Sequence, residues 1–206
     1  MQPLGSEEIA ARLGAHGLGV SPDEAGTLAV FLELLGQWNR VHNLTSIRGR
    51  AELVERHLVE SLALEPFIRG ARVADVGSGA GLPGIPLAIR LPALAFTLIE
   101  SRRKRASFLR HAAATLGLGN VGVAHGRAES LELPPFTTVL ARAVAPPAGL
   151  LEVAGPLVAP GGRLVVLTSR DRSREIAARA EGFGEPAIHE GGAGSSTIVV
   201  LERALS

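Results

Sequence analysis

The stretch Arg72-Val-Ala-Asp-Val-Gly-Ser-Gly-Ala-Gly-Leu-Pro-Gly-Ile-Pro86 decides the fold of this chain. Its first residues are β-branched and largely apolar, which suits a strand buried on both faces. Four glycines follow, and they remove the side chains that would keep a ligand away from the backbone. An apolar helical segment then leads to a second strand candidate, Ala95–Ile99, which is followed directly by Glu100. Strand, glycine turn, helix, strand and acid together predict half of a nucleotide-binding crevice, with Glu100 accepting hydrogen bonds from two ribose hydroxyls.

The glycine segment allows more than one nucleotide. Read from Gly79 to Gly84 it is the GxGxxG of dinucleotide enzymes. Read from Asp75 to Gly81 it is the Asp-x-Gly-x-Gly-x-Gly of class I S-adenosylmethionine-dependent methyltransferases, whose acid orients the loop and faces the donor's ammonium group. A dinucleotide places its pyrophosphate at this helix start, where a nearby acid would repel it, so Asp75 favours the methyl donor. A glycine-rich turn that binds nothing is the third interpretation.

Length and composition exclude several classes of protein. The chain has 206 residues, enough for one α/β domain with a modest extension, and a formal net charge of +1, which gives no overall basic field. Because cysteine is absent, the chain has no disulfide, no zinc-thiolate site and no thiol nucleophile. No apolar run reaches the roughly 20 residues that span a bilayer, and no signal pattern is present. We expect a cytoplasmic protein without a membrane segment or a metal site.

The N-terminal residues 1–66 predict a helical extension that packs on an α/β core of residues 67–206. Ser21 to Glu24 is a capping box with proline at the first helical position. Pro66 ends the last helix of the extension. The helices predicted there are Ser6–Leu13, one that begins at Pro22, and Ala51–Leu64.

Strands and helices alternate from Arg72 onward, and the pattern changes near the C-terminus. Pro186–His189 and Thr197–Leu201 flank a glycine-rich turn and predict an antiparallel hairpin. Parallel strands closed by such a hairpin are typical of class I methyltransferases, so we predict a Rossmann-like, mostly parallel α/β sheet. The predicted strands are Arg72–Val76, Ala95–Ile99, Val121–His125, Thr137–Ala141 and Arg163–Thr168. The predicted helices are Ile85–Leu91, Arg102–Leu116, Pro147–Val158 and Ser173–Ala180.

Four strings occur in an order that is specific to one family. They are Trp38-Asn-Arg-Val-His-Asn-Leu-Thr-Ser-Ile47, Glu55-Arg-His-Leu-Val-Glu-Ser-Leu62, Asp75 to Pro86, and Ala141-Arg-Ala143. Through them the chain resembles the RsmG family, also called GidB, the bacterial methyltransferases that act on a guanine N7 of 16S ribosomal RNA in the small subunit. The resemblance covers roughly residues 30–168. Its Gly-Leu-Pro-Gly-Ile-Pro and Asn-Leu-Thr strings are far more specific than the glycine motif alone.

This resemblance implies S-adenosyl-L-methionine as the cofactor, 16S ribosomal RNA or the small subunit as the partner, and a monomer. Glu100 would hold the ribose, Ala128 and Glu129 would flank the adenine, and Arg142 would face the donor or the incoming RNA. No catalytic acid or base is expected, and Arg142 is the best candidate for a catalytic residue. The cofactor-binding residues implied are Asp75, Gly77, Gly79, Gly81, Leu82, Glu100, Ala128, Glu129 and Arg142.

The implied chemistry agrees with the composition. Guanine N7 carries a lone pair and no proton, so its methylation needs no general base, and positioning can supply about 7–11 kcal/mol. Amino-group methyltransferases have Asn/Asp-Pro-Pro-aromatic after the fourth strand, where this chain has Ala-Arg-Ala-Val-Ala-Pro. The chain departs from the family at Phe136-Thr137, where Phe-Asp is usual, and at Thr168-Ser-Arg170, where Lys-Gly is common. The second departure leaves the contacts of that loop open.

Other polar residues have structural and functional interpretations side by side. His57 is interpreted as a packed or hydrogen-bonded histidine, and Trp38 as core. Asn39, Asn43 and Thr45 fit a cap of the second helix as well as a substrate contact. The cations Arg102, Arg103, Lys104 and Arg105 open a helix, where the helix dipole disfavours them, and fit a solvated face or a phosphate site equally. The same two interpretations apply to Arg170, Arg172 and Arg174.

Three other functions remain open from the sequence. A NAD(P)-dependent oxidoreductase would use the dinucleotide interpretation of the glycines. A non-catalytic RNA-binding protein would keep a vestigial donor site. A methyltransferase acting on another RNA or on a small molecule would share the core, and only the N-terminal strings and Arg142 argue against it.

Overall fold

The computed structural model describes residues 4–47, 49–142 and 146–205, and within them seven strands form a single sheet. The strands are β1 (Arg72–Val76), β2 (Ala95–Glu100), β3 (Val121–His125), β4 (Phe136–Arg142), β5 (Val158–Ser169), β6 (Ala187–Glu190) and β7 (Ser196–Glu202). Their order across the sheet is β3-β2-β1-β4-β5-β7-β6. Strands β1 to β5 are mutually parallel, whereas β7 pairs antiparallel with both β5 and β6. This is the predicted Rossmann-like sheet with its C-terminal hairpin.

The order of the strands reverses between β1 and β4, and this switch point positions the site. β2 and β3 lie on one side of β1, while β4 and β5 lie on the other. An open sheet with such a switch point binds ligands outside the carboxyl ends of its strands. Val76 lies beside Ile99 of β2 and Ala141 of β4 in the register, so the glycine loop, Glu100 and Arg142 emerge at the same edge.

Helices cover both faces of the sheet. They are α1 (Ser6–Ala15), α2 (Pro22–His42), α3 (Arg50–Leu53), α4 (Glu60–Leu62), α5 (Gly84–Arg90), α6 (Arg103–Thr115), α7 (Pro147–Ala154) and α8 (Arg170–Ala178). One apolar cluster joins the N-terminal helices to α5, α6 and one sheet face, and includes Phe31, Leu58, Leu87 and Phe108. A second cluster fills the opposite face. The N-terminal helices thus share a continuous core with the sheet, while the boundary at residue 66 stays a prediction.

The capping box predicted for α2 is confirmed. The Glu24 N–H donates to Ser21 Oγ at 3.2 Å, and the Ser21 N–H donates to Glu24 Oε2 at 2.7 Å. Arg90 at the end of α5 also donates to Glu24, at 3.1 Å, and to Glu65 at 3.0 Å. A partly exposed ion-pair network therefore links the first turn of α2 to the end of α5 and to Glu65.

Several predicted elements differ from the structure, among them the fifth strand, which begins at Val158 and not at Arg163. The helix expected at Pro147–Val158 ends at Ala154, because Gly155–Leu157 tightens to a 3-10 turn around Pro156 and Val158 already begins β5. The last helix begins at Arg170, three residues earlier than expected, where the Ser173 hydroxyl donates to the Arg170 carbonyl at 2.7 Å. The helix expected at Ala51–Leu64 is not uniform, since its middle, Val54–Val59, is a π-helix.

Candidate functional site

The glycine loop after β1 is fastened to the end of β2 by backbone hydrogen bonds. The N–H groups of Gly77 and Ser78 donate to the Ile99 carbonyl at 2.8 and 3.1 Å. The Gly79 N–H donates to Glu100 Oε2 at 3.0 Å, and the Arg102 N–H donates to Oε1 at 2.7 Å. Gly79 has a φ of +55°, which an L side chain rarely adopts. Glu100 therefore organises the loop from below while its carboxylate retains lone pairs for further donors.

Asp75 lies beneath the loop and caps the helix that follows it. Its Oδ2 accepts from the Gly84 N–H at 3.1 Å, and its side chain is buried. Burial raises the pKa of Asp75 to about 7. Within the described part of the chain, Oδ1 has no hydrogen-bond partner. Asp75 thus positions the loop and helix as predicted from the pattern, whereas its contact to an ammonium group stays a prediction.

A cavity of about 630 Å³, here called the first cavity, opens at the carboxyl edge of the sheet. Five predicted site residues line it: Gly77, Gly79, Leu82, Glu100 and Arg142. The other predicted site residues, Asp75, Gly81, Ala128 and Glu129, do not line it. The position of a Cβ at Gly81 is filled by Ile85 and Leu109.

The pair predicted to flank an adenine lies in the short 3-10 turn after β3. Ala128 packs into the apolar cluster on the second face of the sheet, and Glu129 pairs with Arg127 at 3.5 Å on the surface. Neither side chain lines the first cavity. Their role at an adenine stays a prediction, and it would require a ligand that extends beyond this cavity toward β3.

Residues of the Asn-Leu-Thr and Arg-His-Leu strings form the opposite wall of the first cavity. His57 is buried, and its Nε2 lies 3.1 Å from Thr45 Oγ1. Burial, reinforced by nearby Arg142, lowers the pKa of His57 to about 4, so the ring is neutral at pH 7. Asn39 Oδ1 accepts from the Thr45 N–H at 2.9 Å and so fixes the chain after α2. The interpretation of His57 as hydrogen-bonded is confirmed. Of the three cap candidates, Asn43 is the C-cap of α2, with a left-handed φ of +49°, whereas the Asn39 side chain accepts from the loop that follows the helix.

Arg142, the last residue of β4, is held by the π-helix. In this segment the Glu60 N–H donates to the Glu55 carbonyl, five residues back, so it does not bond to the Arg56 carbonyl as in an α-helix. The Arg56 carbonyl instead accepts from Arg142 Nη2 at 2.6 Å. The same Nη2 donates to Glu60 Oε2 at 2.7 Å. Arg142 is therefore fixed by two acceptors from one irregular turn.

A second cavity, of about 600 Å³, lies beside the first. Arg56 and Arg142 line both cavities, so they form the wall between them. Glu60 belongs to the second cavity, and its Oε1 lies 2.8 Å from the Ser196 hydroxyl at the start of β7. The end of β5 and the loop 192–196 complete its lining.

Sequence reasoning did not identify Glu60 or Ser196 as site residues. Glu60 occurs in the Arg-His-Leu-Val-Glu string, but only the π-helix turns it toward Arg142, which is 82 residues away. The local signal that could have identified Glu60 is an acid on an otherwise apolar helical face, because an unpaired charge is costly to bury.

The basic residues divide between the cavities and the surface. Arg102 precedes α6 directly, and both Arg102 and Arg105 line the first cavity, whereas Arg172 lines the second. Among the described residues, no group of histidine and acid side chains could hold a metal ion. A search of the same residues found no helix with the length and apolarity to cross a bilayer. Ala143, the last residue of the fourth family string, lies outside the described residues.

Known proteins resemble this chain over most of its length. The family model described as GidB, rRNA small subunit methyltransferase G, matches residues 25–186. The ribosomal RNA small subunit methyltransferase G of Xanthomonas campestris pv. campestris strain 8004 is 42% identical over 177 residues, 85% of this chain and 84% of the relative. The protein of the same name from Stenotrophomonas maltophilia strain K279a is 44% identical over 178 residues, with the same coverage. A SAM-dependent methyltransferase from Aquifex aeolicus, 17% identical, shares the fold with a TM-score of 0.61 over 82% of this chain and 97% of that one.

Proposed function

Since the chain belongs to the GidB family, rRNA small subunit methyltransferase G, we propose that it transfers a methyl group from S-adenosyl-L-methionine to N7 of a guanine in 16S ribosomal RNA of the small subunit. One structural observation supports this proposal independently of the family match. The glycine loop, fastened to the Glu100 carboxylate, borders the first cavity at the switch point of the sheet.

The residues present fit this methyl donor. The first cavity, at about 630 Å³, lies within the range of about 300–1,000 Å³ typical of cofactor sites. Glu100 would accept from the ribose hydroxyls, and Gly77, Gly79 and Leu82 would border the methionine part. Asp75 would act through the loop, with Ala128 and Glu129 beside the adenine. Bound there, S-adenosylmethionine supplies an activated methyl group.

The position of Asp75 disfavours a dinucleotide. A pyrophosphate at this helix start would need the free N–H groups of the first turn. The Gly84 N–H already donates to Asp75 Oδ2, and a carboxylate at that point would repel a phosphate. This supports the methyl donor over NAD.

The protein's contribution to the reaction is positioning. Guanine N7 attacks with its own lone pair and loses no proton, so His57, neutral at pH 7, need not act as a base. Holding the acceptor in line with the methyl group can supply about 7–11 kcal/mol. Arg142, between the two cavities, is the residue best placed to touch the acceptor.

We further propose that the protein acts as a monomer in the cytoplasm. Its side chains would bind the sugar-phosphate backbone of structured RNA. The cavity edge carries Arg102, Arg105 and Arg172, whereas aromatic residues make up only 3% of the chain. Arginines bind phosphate well, and a base-stacking surface needs aromatic side chains.

The direct test is methyl transfer from labelled S-adenosylmethionine to small ribosomal subunits that lack this modification, followed by mapping of the labelled nucleotide. Label on one guanine N7 is expected. Donor binding without transfer to the subunit would indicate another acceptor. NAD binding in the absence of donor binding would contradict the proposal.

A further inference from the structure

We propose that the second cavity receives the flipped-out acceptor base, and that Glu60 is the positioning residue that holds Arg142 at its boundary with the first cavity. This inference rests on the proposed function, since it names the acceptor subsite of the same reaction. Enzymes that modify a base move it out of the stack into a pocket and read it through hydrogen bonds to its edge.

The two cavities have the geometry that a transfer reaction requires. Each is large enough for a nucleotide, at about 600 and 630 Å³, and they share a wall built by Arg56 and Arg142. The glycine loop and Glu100 belong only to the first cavity, so the donor occupies that one. The second cavity is lined by the end of β5 and the start of β7, at the same carboxyl edge of the sheet as the donor loop. A base in the second cavity would reach the donor in the first cavity beside Arg142.

Arg142 has an unpartnered donor group, Nη1. Its Nη2 is engaged by the Arg56 carbonyl and Glu60, but within the described residues its buried Nη1 has no partner. A buried donor without an acceptor is costly, so a ligand that supplies one is favoured. Guanine presents O6 beside N7, whereas adenine presents an amino group at that position. Solvent does not reach Nη1 in this structure, so a bound base would first have to open access to it. Donation from Nη1 to O6 would then place N7 near the donor and select guanine over adenine.

The Glu60 carboxylate offsets the positive charge of Arg142 beside the acceptor base. Methylation makes the guanine ring cationic, and a bare guanidinium beside it would oppose the reaction. The Glu60 carboxylate lies 2.7 Å from Arg142 Nη2 and is only 4% exposed, so it offsets the guanidinium charge at short range. Its other oxygen lies beside the Ser196 hydroxyl, which links the pair to the loop that closes the second cavity.

The first test blocks the second cavity. Ser195 lines it and is exposed, so Ser195→Trp adds bulk there without entering the core. Donor affinity should stay within about twofold of wild type, while kcat for labelled small subunits should fall about tenfold or more. Thr115→Trp, at an exposed position at the end of α6 that lines neither cavity, is the matched control and should retain wild-type kcat.

The second test removes the charge of Glu60. Glu60→Gln should lower kcat about tenfold at saturating subunit, with donor affinity and subunit KM close to wild type. Because the variant leaves a buried guanidinium without its carboxylate, its Tm should also fall. Glu60→Asp, which keeps the charge, should recover part of the loss. Glu65→Gln, which removes another arginine-paired carboxylate that lines neither cavity, is the control and should leave kcat unchanged.

The outcomes separate this inference from the proposed function. Wild-type protein that transfers no methyl group to the subunit would overturn the proposed function. Active wild type with a fully active Ser195→Trp variant would overturn the acceptor subsite alone. A Ser195→Trp variant that loses subunit binding and keeps kcat would place an RNA phosphate, not the base, in the second cavity. A Glu60→Asp variant that recovers none of the kcat lost in Glu60→Gln would reduce Glu60 to a structural residue.

Discussion

At the scale of single residues, two buried carboxylates at the glycine loop differ in their partners. Glu100 accepts from two backbone N–H groups, one on each oxygen, at 3.0 and 2.7 Å. Asp75 accepts from one, and its second oxygen is buried without a partner in the described structure. Burial of Asp75 with that oxygen unpaired raises its pKa and favours its protonated form. The two acids of the motif are therefore not equivalent.

Replacing Glu100 should weaken the donor site. Glu100→Ala removes the acceptors for Gly79 and for the ribose hydroxyls, so donor binding should weaken by about 1–3 kcal/mol. Glu100→Gln, which keeps one acceptor oxygen, should lose less. Calorimetric titration with S-adenosylmethionine measures both. An affinity that is unchanged in the alanine variant would mean that Glu100 does not hold the ribose.

Asp75 and His57 should give opposite pH dependences of stability. The pKa of Asp75 is raised from 3.8 to about 7, so the folded chain holds a proton there that the unfolded chain has lost, and stability falls as the pH rises between these values. The pKa of His57 is lowered from 6.5 to about 4, so the unfolded chain binds the extra proton and stability rises with pH over that interval.

Asp75→Asn should therefore expose the contribution of His57. The free energy of unfolding in urea should rise more steeply with pH, between about 4 and 6.5, in the variant than in wild type. His57→Gln is the complementary control and should make the slope less positive. A slope in Asp75→Asn that equals the wild-type slope would show that Asp75 is charged in the folded protein across this interval.

At the scale of elements, the junction between the glycine loop and α5 depends on close packing. A Cβ on Gly84 would clash with Leu98 Cδ2 and would lie 2.7 Å from Asp75 Oδ2. Gly36, in the exposed middle of α2, has no other atom within 4 Å of the same position. The two glycines therefore have different roles although both are helical.

This difference predicts opposite effects of one substitution. Gly84→Ala should destabilise the protein by about 1–3 kcal/mol, because the core around Leu98 is already filled. Gly36→Ala should stabilise it by about 0.5–1 kcal/mol, because alanine loses less backbone entropy in a helix. Equilibrium urea unfolding measures both. Equal effects of the two changes would contradict the packing seen at Gly84.

The sequence predicted local elements better than distant contacts. Strands β1 and β3 were placed correctly, the glycine loop follows β1 as expected, and Glu100 lies at the end of β2, because their signals lie in adjacent residues. The π-helix has no comparable signal, and Glu60 meets Arg142 only through it. The early start of β5 depends on pairing of Val158 with Phe136, which is also a contact between distant residues.

At the scale of the whole molecule, arginines gather at the carboxyl edge of the sheet although the net charge is only +1. The two cavities are lined by Arg56, Arg102, Arg105, Arg142 and Arg172 together with Glu52, Glu55, Glu60 and Glu100. Arg69 and Arg72 lie at the opposite edge, where Arg72 begins β1 and Arg69 pairs with Glu202 at 3.2 Å. We expect RNA to bind at the first edge and not at the second.

The salt dependence of RNA binding tests this expectation. Replacing Arg102 and Arg103 by glutamine should reduce the slope of log affinity against log salt by about 1 for each phosphate contact that is lost. The paired control Arg69→Gln, Arg72→Gln should leave the slope unchanged. Filter binding of small-subunit RNA over a range of potassium chloride gives both slopes. An unaltered slope in the first pair would make those arginines a solvated face.

The π-helix at Val54–Val59 also limits how this segment can change in evolution. A π-helical turn holds more residues than an α-helical turn, because its hydrogen bonds join residues five apart. Deleting one residue there would favour ordinary α-helical turns, return the Arg56 carbonyl to the helix and rotate Glu60 by about 100° relative to the preceding turn. Arg142 would then lose both of its acceptors through a single genetic event. The length of the segment between Arg56 and Glu60 is therefore constrained in addition to its buried side chains.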